Sequence, residues 1–415
     1  GDKSISHRSV IIPSISNGIC EVDNILKSDD VMHTINAFIS MGIKIEEYKK
    51  KIIIHGKGLH GLKKPLTEIY LGNSGTSARL LIGLLASQNF KSILTGDESL
   101  SSRPMQRISE PLMQMGGKIK TTNNSLPIYI DGNELNSSDI NIDIPSAQIK
   151  SGLLLAALKT KGITKIIENN ITRDHTEIML EAFNANIKSR KDDKIKIITI
   201  EGNKEMTSKN IDVPSDLSSS SFFIVAALIN KNSKLDLKNI NINPTRNGIL
   251  LALKKMGAKI NLYNERYKNN EVICDIEVLS SELNGCELDS EMAKLMIDEY
   301  PILSVAACFA NSPSIFRGLN ELRVKESDRL NLIYLNLQKC GVKCKIDGDD
   351  LFIYPEINYK IQDQIIKTDF DHRIAMAFTI MASKIGSLKI SESECINTSF
   401  PTFINEFKKT GGIIS

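Results

Sequence analysis

The chain has 415 residues and a formal net charge of +3, with 41% apolar, 24% charged and 5% aromatic residues. That balance belongs to a folded globular protein with two or three cores and excludes a disordered chain; no apolar run reaches the roughly 18 to 20 residues of a membrane-spanning helix. Near-neutrality, the lack of tryptophan and the lack of a long basic stripe speak against nucleic-acid binding.

The first element, GDKSISHRSVII, places Lys3, His7 and Arg8 ahead of an apolar helical run, although helix dipoles favour cations at the other end. Similar runs begin near Ser77, Ala147, Ser219, Asp298 and Asp371; counted from Ser6, the separations are 71, 70, 72, 79 and 73 residues. Such self-similarity marks a repeated unit. A second helical pattern follows each first one and mostly stops at glycine, so Gly42, Gly116, Gly257, Gly341 and Gly411 are predicted left-handed C-caps, with Asn186 serving in the third copy. Pieces rich in Ile and Val, such as KIIIHG, LPIYIDG, KIKIITIEG, VICDIEV and LFIYP, read as strands.

Each unit is therefore strand, helix, strand, helix and one or two further strands. Solenoid repeats are shorter, roughly 20 to 50 residues, so six such units fit two α/β (α+β) domains of three, residues 1–213 and 214–415, divided in the polar stretch 202–216. Seven scattered cysteines without a CxxC pair suit reduced thiols in the cytoplasm. The six histidines show no metal-ligand spacing, so no structural or catalytic zinc site is expected. No secretory leader is legible at the start given.

Chemistry collects at the repeat starts: DKSISHR, GNSGTSAR, PSAQIK, SDLSSSS, IDEYP and DFDHR. Helix N-termini attract anions. Lysine outnumbers arginine 40 to twelve, which suggests that arginine is kept where a planar bidentate fork is needed. Together Lys3, Arg8, Arg103, Arg173, Lys325, Arg329 and Arg373 would form an anion-attracting pocket, with Asp298, Glu326, Asp328 and Asp371 among them for ion pairing or proton transfer. GNSGTSAR lacks the Lys-Ser/Thr ending of a P-loop and no GxGxxG occurs; no Ser-His-Asp or Cys-His set is legible. Small, multiply charged metabolites remain as ligands.

GDKSISHR, LGNSGTSARLL, GDESLSSRPM, PSAQIKSGLLLAAL, LRVKESDRL and DHRIAMAF, in this order, resemble the 5-enolpyruvylshikimate-3-phosphate synthase family from residue 1 to about 405. DKS, SAQIK, RDHTE and NPTR resemble the class II branch, whose members are often poorly inhibited by glyphosate, whereas Gly75 is the residue type of sensitive members. The resemblance implies two domains, each of three βαβαββ units around a pseudo-threefold axis, acting as a monomer without cofactor. Shikimate 3-phosphate and phosphoenolpyruvate would bind between the domains, which close on the first substrate. The enolpyruvyl group would pass to the 5-hydroxyl by addition and elimination.

On matching positions, the resemblance makes Asp298 the base for the attacking hydroxyl, Glu326 the group that exchanges the C3 proton, and Lys3 the group that protonates or orients the departing phosphate. Lys3, Gly75, Arg103, Gln148, Arg329 and Arg373 would hold phosphoenolpyruvate. Lys3, Ser4, Arg8, Ser146, Ala147 (through its backbone), Gln148, Arg173, Asp298 and Lys325 would hold shikimate 3-phosphate. Thr398 stands where some members have a lysine. Members also carry a strand before the position of Gly1, so either the sequence continues upstream or the sixth unit lacks a strand. Two rival readings are a UDP-N-acetylglucosamine enolpyruvyl transferase, against which GDESLSSRPM has no cysteine, and an inactive anion-binding repeat protein.

Overall fold

The first helix of nearly every repeat starts where a short polar side chain can accept from an otherwise orphaned backbone N–H. In the computed structural model, which describes residues 1–49, 51–192, 195–356, 359 and 364–414, α1 (Lys3–Ser14) is capped by Asp2, whose carboxylate accepts from the Ile5 N–H at 2.8 Å. The first repeat continues with β1 (Asn17–Asp23), α2 (Asp29–Ser40), β2 (Lys44–Glu47) and β3 (Lys51–Lys57). The second comprises β4 (Ile69–Tyr70), α3 (Gly75–Ala86) capped by Ser74, β5 (Lys91–Thr95), the single turn α4 (Glu98–Ser101), α5 (Gln106–Gln114), β6 (Lys118–Thr122) and β7 (Ser125–Asp131). The third comprises β8 (Asp139–Ile142), α6 (Ala147–Ala157) capped by Ser146, β9 (Ile163–Glu168), α7 (His175–Ala182), β10 (Ile187–Asp192) and β11 (Ile195–Glu201), and β12 (Ile211–Asp212) follows.

The three sheets share one topology, β12-β1-β3-β2, β4-β5-β7-β6 and β8-β9-β11-β10, reading from the short strand inward. In each, the short strand runs parallel to its neighbour and the other pairs are antiparallel. A parallel pair needs a crossover, and α3 and α6 supply it. For the first repeat the parallel strand is β12, from the far end of the unit, with Val22 opposite Ile211. The Asp2 N–H also donates to the Pro214 carbonyl at 2.7 Å.

Compact units form from Gly1–Pro214 with Tyr267–Glu271, and from Ser215–Arg266 with Val272–Ser415. Each has its own apolar core, running from Ile5 to Val213 in the first and from Leu217 to Phe407 in the second. α1, α3 and α6 are buried on almost every side, whereas α2 and α5 keep one apolar face inward, which is why the first helices read as continuous apolar runs.

The second unit contains α8 (Leu217–Ile229), β13 (Lys234–Asn241), α9 (Gly248–Lys255), β14 (Lys259–Lys268) and β15 (Glu271–Leu279). Next come β16 (Glu287–Leu288), α10 (Ser290–Met296), a 3-10 turn at Ile297–Glu299, α11 (Tyr300–Cys308), β17 (Ser314–Phe316), a second 3-10 turn at Asn320–Val324, α12 (Arg329–Lys339), β18 (Lys343–Asp347) and β19 (Asp350–Tyr354). The last repeat has β20 (Ile365–Ile366), α13 (His372–Ile385), β21 (Lys389–Ile390), a 3-10 turn at Ser393–Thr398 and α14 (Phe403–Lys409). The sheet β16-β17-β19-β18 repeats the first unit's topology; β13-β15-β14 has three strands, and β20-β21 is a parallel pair among the described residues.

All six second helices end the same way. Gly42, Gly116, Gly257, Gly341 and Gly411 have positive φ, and in each case the following N–H reaches back to a carbonyl five residues earlier, as Ile43 does to Phe38 at 3.0 Å. In the third copy the left-handed residue is Asn184 (φ 64), with the Ala185 N–H bonded to the Leu180 carbonyl at 2.9 Å. This corrects the expected Asn186: α7 stops at Ala182 with Phe183 packed in the core, which puts the turn two residues earlier.

Candidate active site

In the first unit, the start of α3 sets up one group. A Cβ on Gly75 would lie 3.0 Å from a terminal nitrogen of Arg103 and 3.0 Å from one of Arg79, so the missing side chain leaves room for two guanidinium groups. Arg103, just after α4, donates to the Asn73 side-chain oxygen and to Ser99 Oγ at 3.2 Å. Arg79 donates to Gln148 Oε1 at 2.7 Å, and Gln148 Nε2 donates to Thr76 Oγ1 at 3.0 Å. Gly75, Arg103 and Gln148 thus come together around Arg79, which no sequence reading had assigned.

A second group forms around Arg8 on α1. Its Nε donates to Thr176 Oγ1 at 2.7 Å, one terminal nitrogen to Ser151 Oγ at 2.7 Å and the other to the Ser4 carbonyl at 2.8 Å. Burial pushes its pKa down to about 10, and the like charge of Arg173 acts the same way against the pull of Glu177 and Asp2. A guanidinium has five N–H donors, so these contacts leave capacity for a ligand. Ser146 Oγ accepts from the Ile149 N–H at 3.4 Å. Ala147 and Gln148, half-buried in the first turn of α6, are positions whose N–H groups have no intrahelical acceptor. Lys3, half-buried at the start of α1, pairs with Asp30 at 2.5 Å.

In the second unit one network joins its last two repeats. Arg329, 1% exposed at the start of α12, donates from Nε to Asp371 Oδ2 at 2.7 Å and from its terminal nitrogens to Glu326 Oε2 at 2.5 Å and Asp298 Oδ1 at 3.3 Å. Burial opposes its charge, but Asp371, Glu326 and Asp298 outweigh burial and hold its pKa above the ordinary arginine value. Lys325 Nζ lies 3.4 Å from Asp298 Oδ1. Arg373 donates to the Asp298 carbonyl at 2.9 Å and sits 3.5 Å from Glu299. Asp371 caps α13 through the Arg373 N–H at 2.9 Å and accepts from Ser327 Oγ at 2.9 Å.

Exposure sorts these groups. The Asp298 and Glu326 side chains are 15% and 23% exposed, whereas that of Asp371 is 0%. Asp371 is the anchor, and the two more exposed carboxylates are held by Lys325 and Arg329. Thr398 uses its hydroxyl internally, donating to the Cys395 carbonyl at 2.8 Å and lying 3.3 Å from His372 Nδ1. The described residues contain no group of three or more side chains suited to hold a metal ion, and no described helix is long and apolar enough to cross a membrane.

Helix starts that carry hydroxyls, arginines and carboxylates, on sheets of which four share one topology, fit the enolpyruvyl transferase fold class. The enolpyruvyl transferase NikO from Streptomyces tendae shares the fold, with a TM-score of 0.78 at 14% identity over 100% of this chain and 94% of that one. An EPSP synthase from Acinetobacter baumannii matches at a TM-score of 0.88 and 40% identity, over 100% of this chain and 95% of that one. The chain belongs to the EPSP synthase (3-phosphoshikimate 1-carboxyvinyltransferase) family, whose model matches residues 1–407. Curated 3-phosphoshikimate 1-carboxyvinyltransferases of Hydrogenovibrio crunogenus and Ruthia magnifica are 42% and 43% identical to it, over 100% and 99% of this chain and 94% of each relative.

Proposed function

We infer that this protein transfers the enolpyruvyl group of phosphoenolpyruvate to the 5-hydroxyl of shikimate 3-phosphate and releases phosphate, a step of aromatic amino acid biosynthesis. The observation that carries the reading is the network around Arg329, in which Asp298 and Glu326 stay reachable while Lys325, Arg329 and Arg373 surround them. Family membership supplies the substrates.

The reaction forms an O–C2 bond and a C3–H bond, then breaks C3–H and C2–O to phosphate. Asp298 takes the hydroxyl proton. Glu326, oriented by Arg329 at 2.5 Å, delivers and then removes the C3 proton. Lys3 protonates or orients the leaving phosphate. Lys3, Gly75, Arg103, Gln148, Arg329 and Arg373 hold phosphoenolpyruvate, whose carboxylate and phosphate each accept a bidentate fork. Ser4, Arg8, Ser146, the Ala147 backbone, Gln148, Arg173 and Lys325 hold shikimate 3-phosphate. The protein acts as a cytoplasmic monomer, a reading supported by its scattered and mostly buried cysteines and by family motifs that supply every candidate group within this one sequence.

The test is phosphate release with phosphoenolpyruvate and shikimate 3-phosphate, with UDP-N-acetylglucosamine as the competing acceptor. Turnover with shikimate 3-phosphate alone supports the reading. Turnover only with the nucleotide sugar, or none from folded protein, overturns it. Lys3→Met should abolish turnover without unfolding the chain.

A further inference from the structure

The connection between β9 and α7, residues 169–174, carries Arg173, and its two ends and its middle converge on one ammonium group. Lys150, in the first turns of α6, is 0% exposed. Its Nζ lies 2.9 Å from Oε2 of Glu168, the last residue of β9, and 2.9 Å from Oε1 of Glu177, in the first turn of α7. It also donates to the Thr172 carbonyl at 3.2 Å. An ammonium has three N–H donors, and three acceptors take them. Thr172 closes the loop on itself by donating from Oγ1 to Glu168 Oε1 at 2.5 Å.

A buried ion cluster is a poor way to gain stability, because apolar residues of similar volume usually do as well or better. What it can do, and an apolar filling cannot, is fix a carbonyl and two carboxylates at set positions. Burial works against the Lys150 charge, but Glu177 and Glu168 outweigh it and hold the ammonium above the ordinary lysine range. Burial pushes the Glu168 carboxyl up, against the pull of the Lys150 charge. Glu177 has a second cation in Lys196 at 3.3 Å. The same helix presents Ser146, Ala147 and Gln148 one turn earlier and Ser151, the partner of Arg8, one residue later.

We propose that Lys150 is a positioning residue for the acceptor: through Glu168, Thr172 and Glu177 it sets the loop that aims Arg173 at an anionic group of shikimate 3-phosphate. The proposal rests on the reading of Arg173 given above. The test uses steady-state kinetics on the full chain. Lys150→Met combined with Glu168→Gln removes one charge of each sign; it should raise KM for shikimate 3-phosphate about tenfold while KM for phosphoenolpyruvate stays within about twofold.

Adding Arg173→Ala to that variant should raise the acceptor KM no further than Arg173→Ala alone, as residues acting through one contact are not additive. If Arg173→Ala raises the acceptor KM and the folded Lys150 variant does not, or if the effects add in full, the positioning role is overturned. If Arg173→Ala itself has no effect, the reading of Arg173 fails first. Should the Lys150 variant not fold, Thr172→Val cuts only the link to Glu168, and a selective, several-fold rise in the acceptor KM is expected; an unchanged KM overturns the proposal.

Discussion

Gly83 of α3 and Gly152 of α6 meet backbone to backbone: a Cβ on Gly83 would fall 1.9 Å from the Gly152 carbonyl oxygen, and one on Gly152 would fall 2.6 Å from the Arg79 carbonyl oxygen. Residues four apart share a helix face, so this crossing brings Arg79 and Gln148 together one turn toward the helix starts, where they bond at 2.7 Å. Gly83→Ala must push two buried helices apart. The expected loss is about 1–3 kcal/mol of stability, read as a lower urea midpoint, with a raised KM for phosphoenolpyruvate because Arg79 and Gln148 separate. A wild-type midpoint would show that the helices part at no cost.

Gly75→Ala tests the same region without disturbing the core. The added methyl meets the ends of two arginine side chains at 3.0 Å rather than backbone, so the guanidinium groups can give way by a few tenths of an ångström. The fold should survive with a nearly unchanged melting temperature, while KM for phosphoenolpyruvate rises several-fold and KM for shikimate 3-phosphate stays nearly constant. Equal effects on both substrates would mean that Gly75 does not face the donor.

The fold class and its repetition were legible because the same local devices recur: cap side chains such as Ser74, Ser146 and Asp371, buried first helices, and left-handed stops such as Gly42 and Gly257. Where two asparagines competed, at 184 and 186, composition could not choose, since the packing of Phe183 sets the end of the helix. Strand periodicity likewise shows VICDIEV, in β15, as a strand but not which core the turn before it joins. Tyr267–Glu271 belongs to the first unit, where Lys268 pairs with Asp212 at 2.5 Å and Glu271 with His175 at 2.6 Å.

At the candidate site, Lys325, Glu326 and Arg329 are neighbours in the chain, so their closeness needs no tertiary knowledge. The ties of Arg329 to Asp298 and Asp371, of Arg79 to Gln148 and of Lys150 to Glu168 and Glu177 all cross between elements. No spacing along the sequence could reveal them.

Asp371→Asn separates anchoring from catalysis in the second unit. An asparagine can keep the cap on the Arg373 N–H, but it loses the charge that meets Arg329 Nε at 2.7 Å. Removing one partner of a buried pair typically costs about 3–5 kcal/mol, and the remaining contacts to Glu326 and Asp298 place this case at the low end. The freed Arg329 should draw Glu326 toward itself, so kcat is expected to fall at least about tenfold. Unchanged kcat in a destabilised protein would confine Asp371 to structure.

His7 offers a test by pH. Its ring is buried with Nδ1 2.8 Å from Thr34 Oγ1, which lies 2.6 Å from Ser77 Oγ, so it links α1, α2 and α3 as a neutral group. Burial holds its pKa well below 6.5, and Lys3 and Arg8 push the same way. Below pH 6.5 the unfolded chain therefore takes up a proton that the folded chain refuses, and stability falls as pH falls, by up to about 1.4 kcal/mol per pH unit for this one group. His7→Asn keeps a polar atom near the Nδ1 position and cannot titrate. Between pH 6.5 and 5.5 its unfolding free energy, measured by urea denaturation, should decline less steeply than that of the unaltered protein. Equal slopes would mean that the folded protein admits the proton.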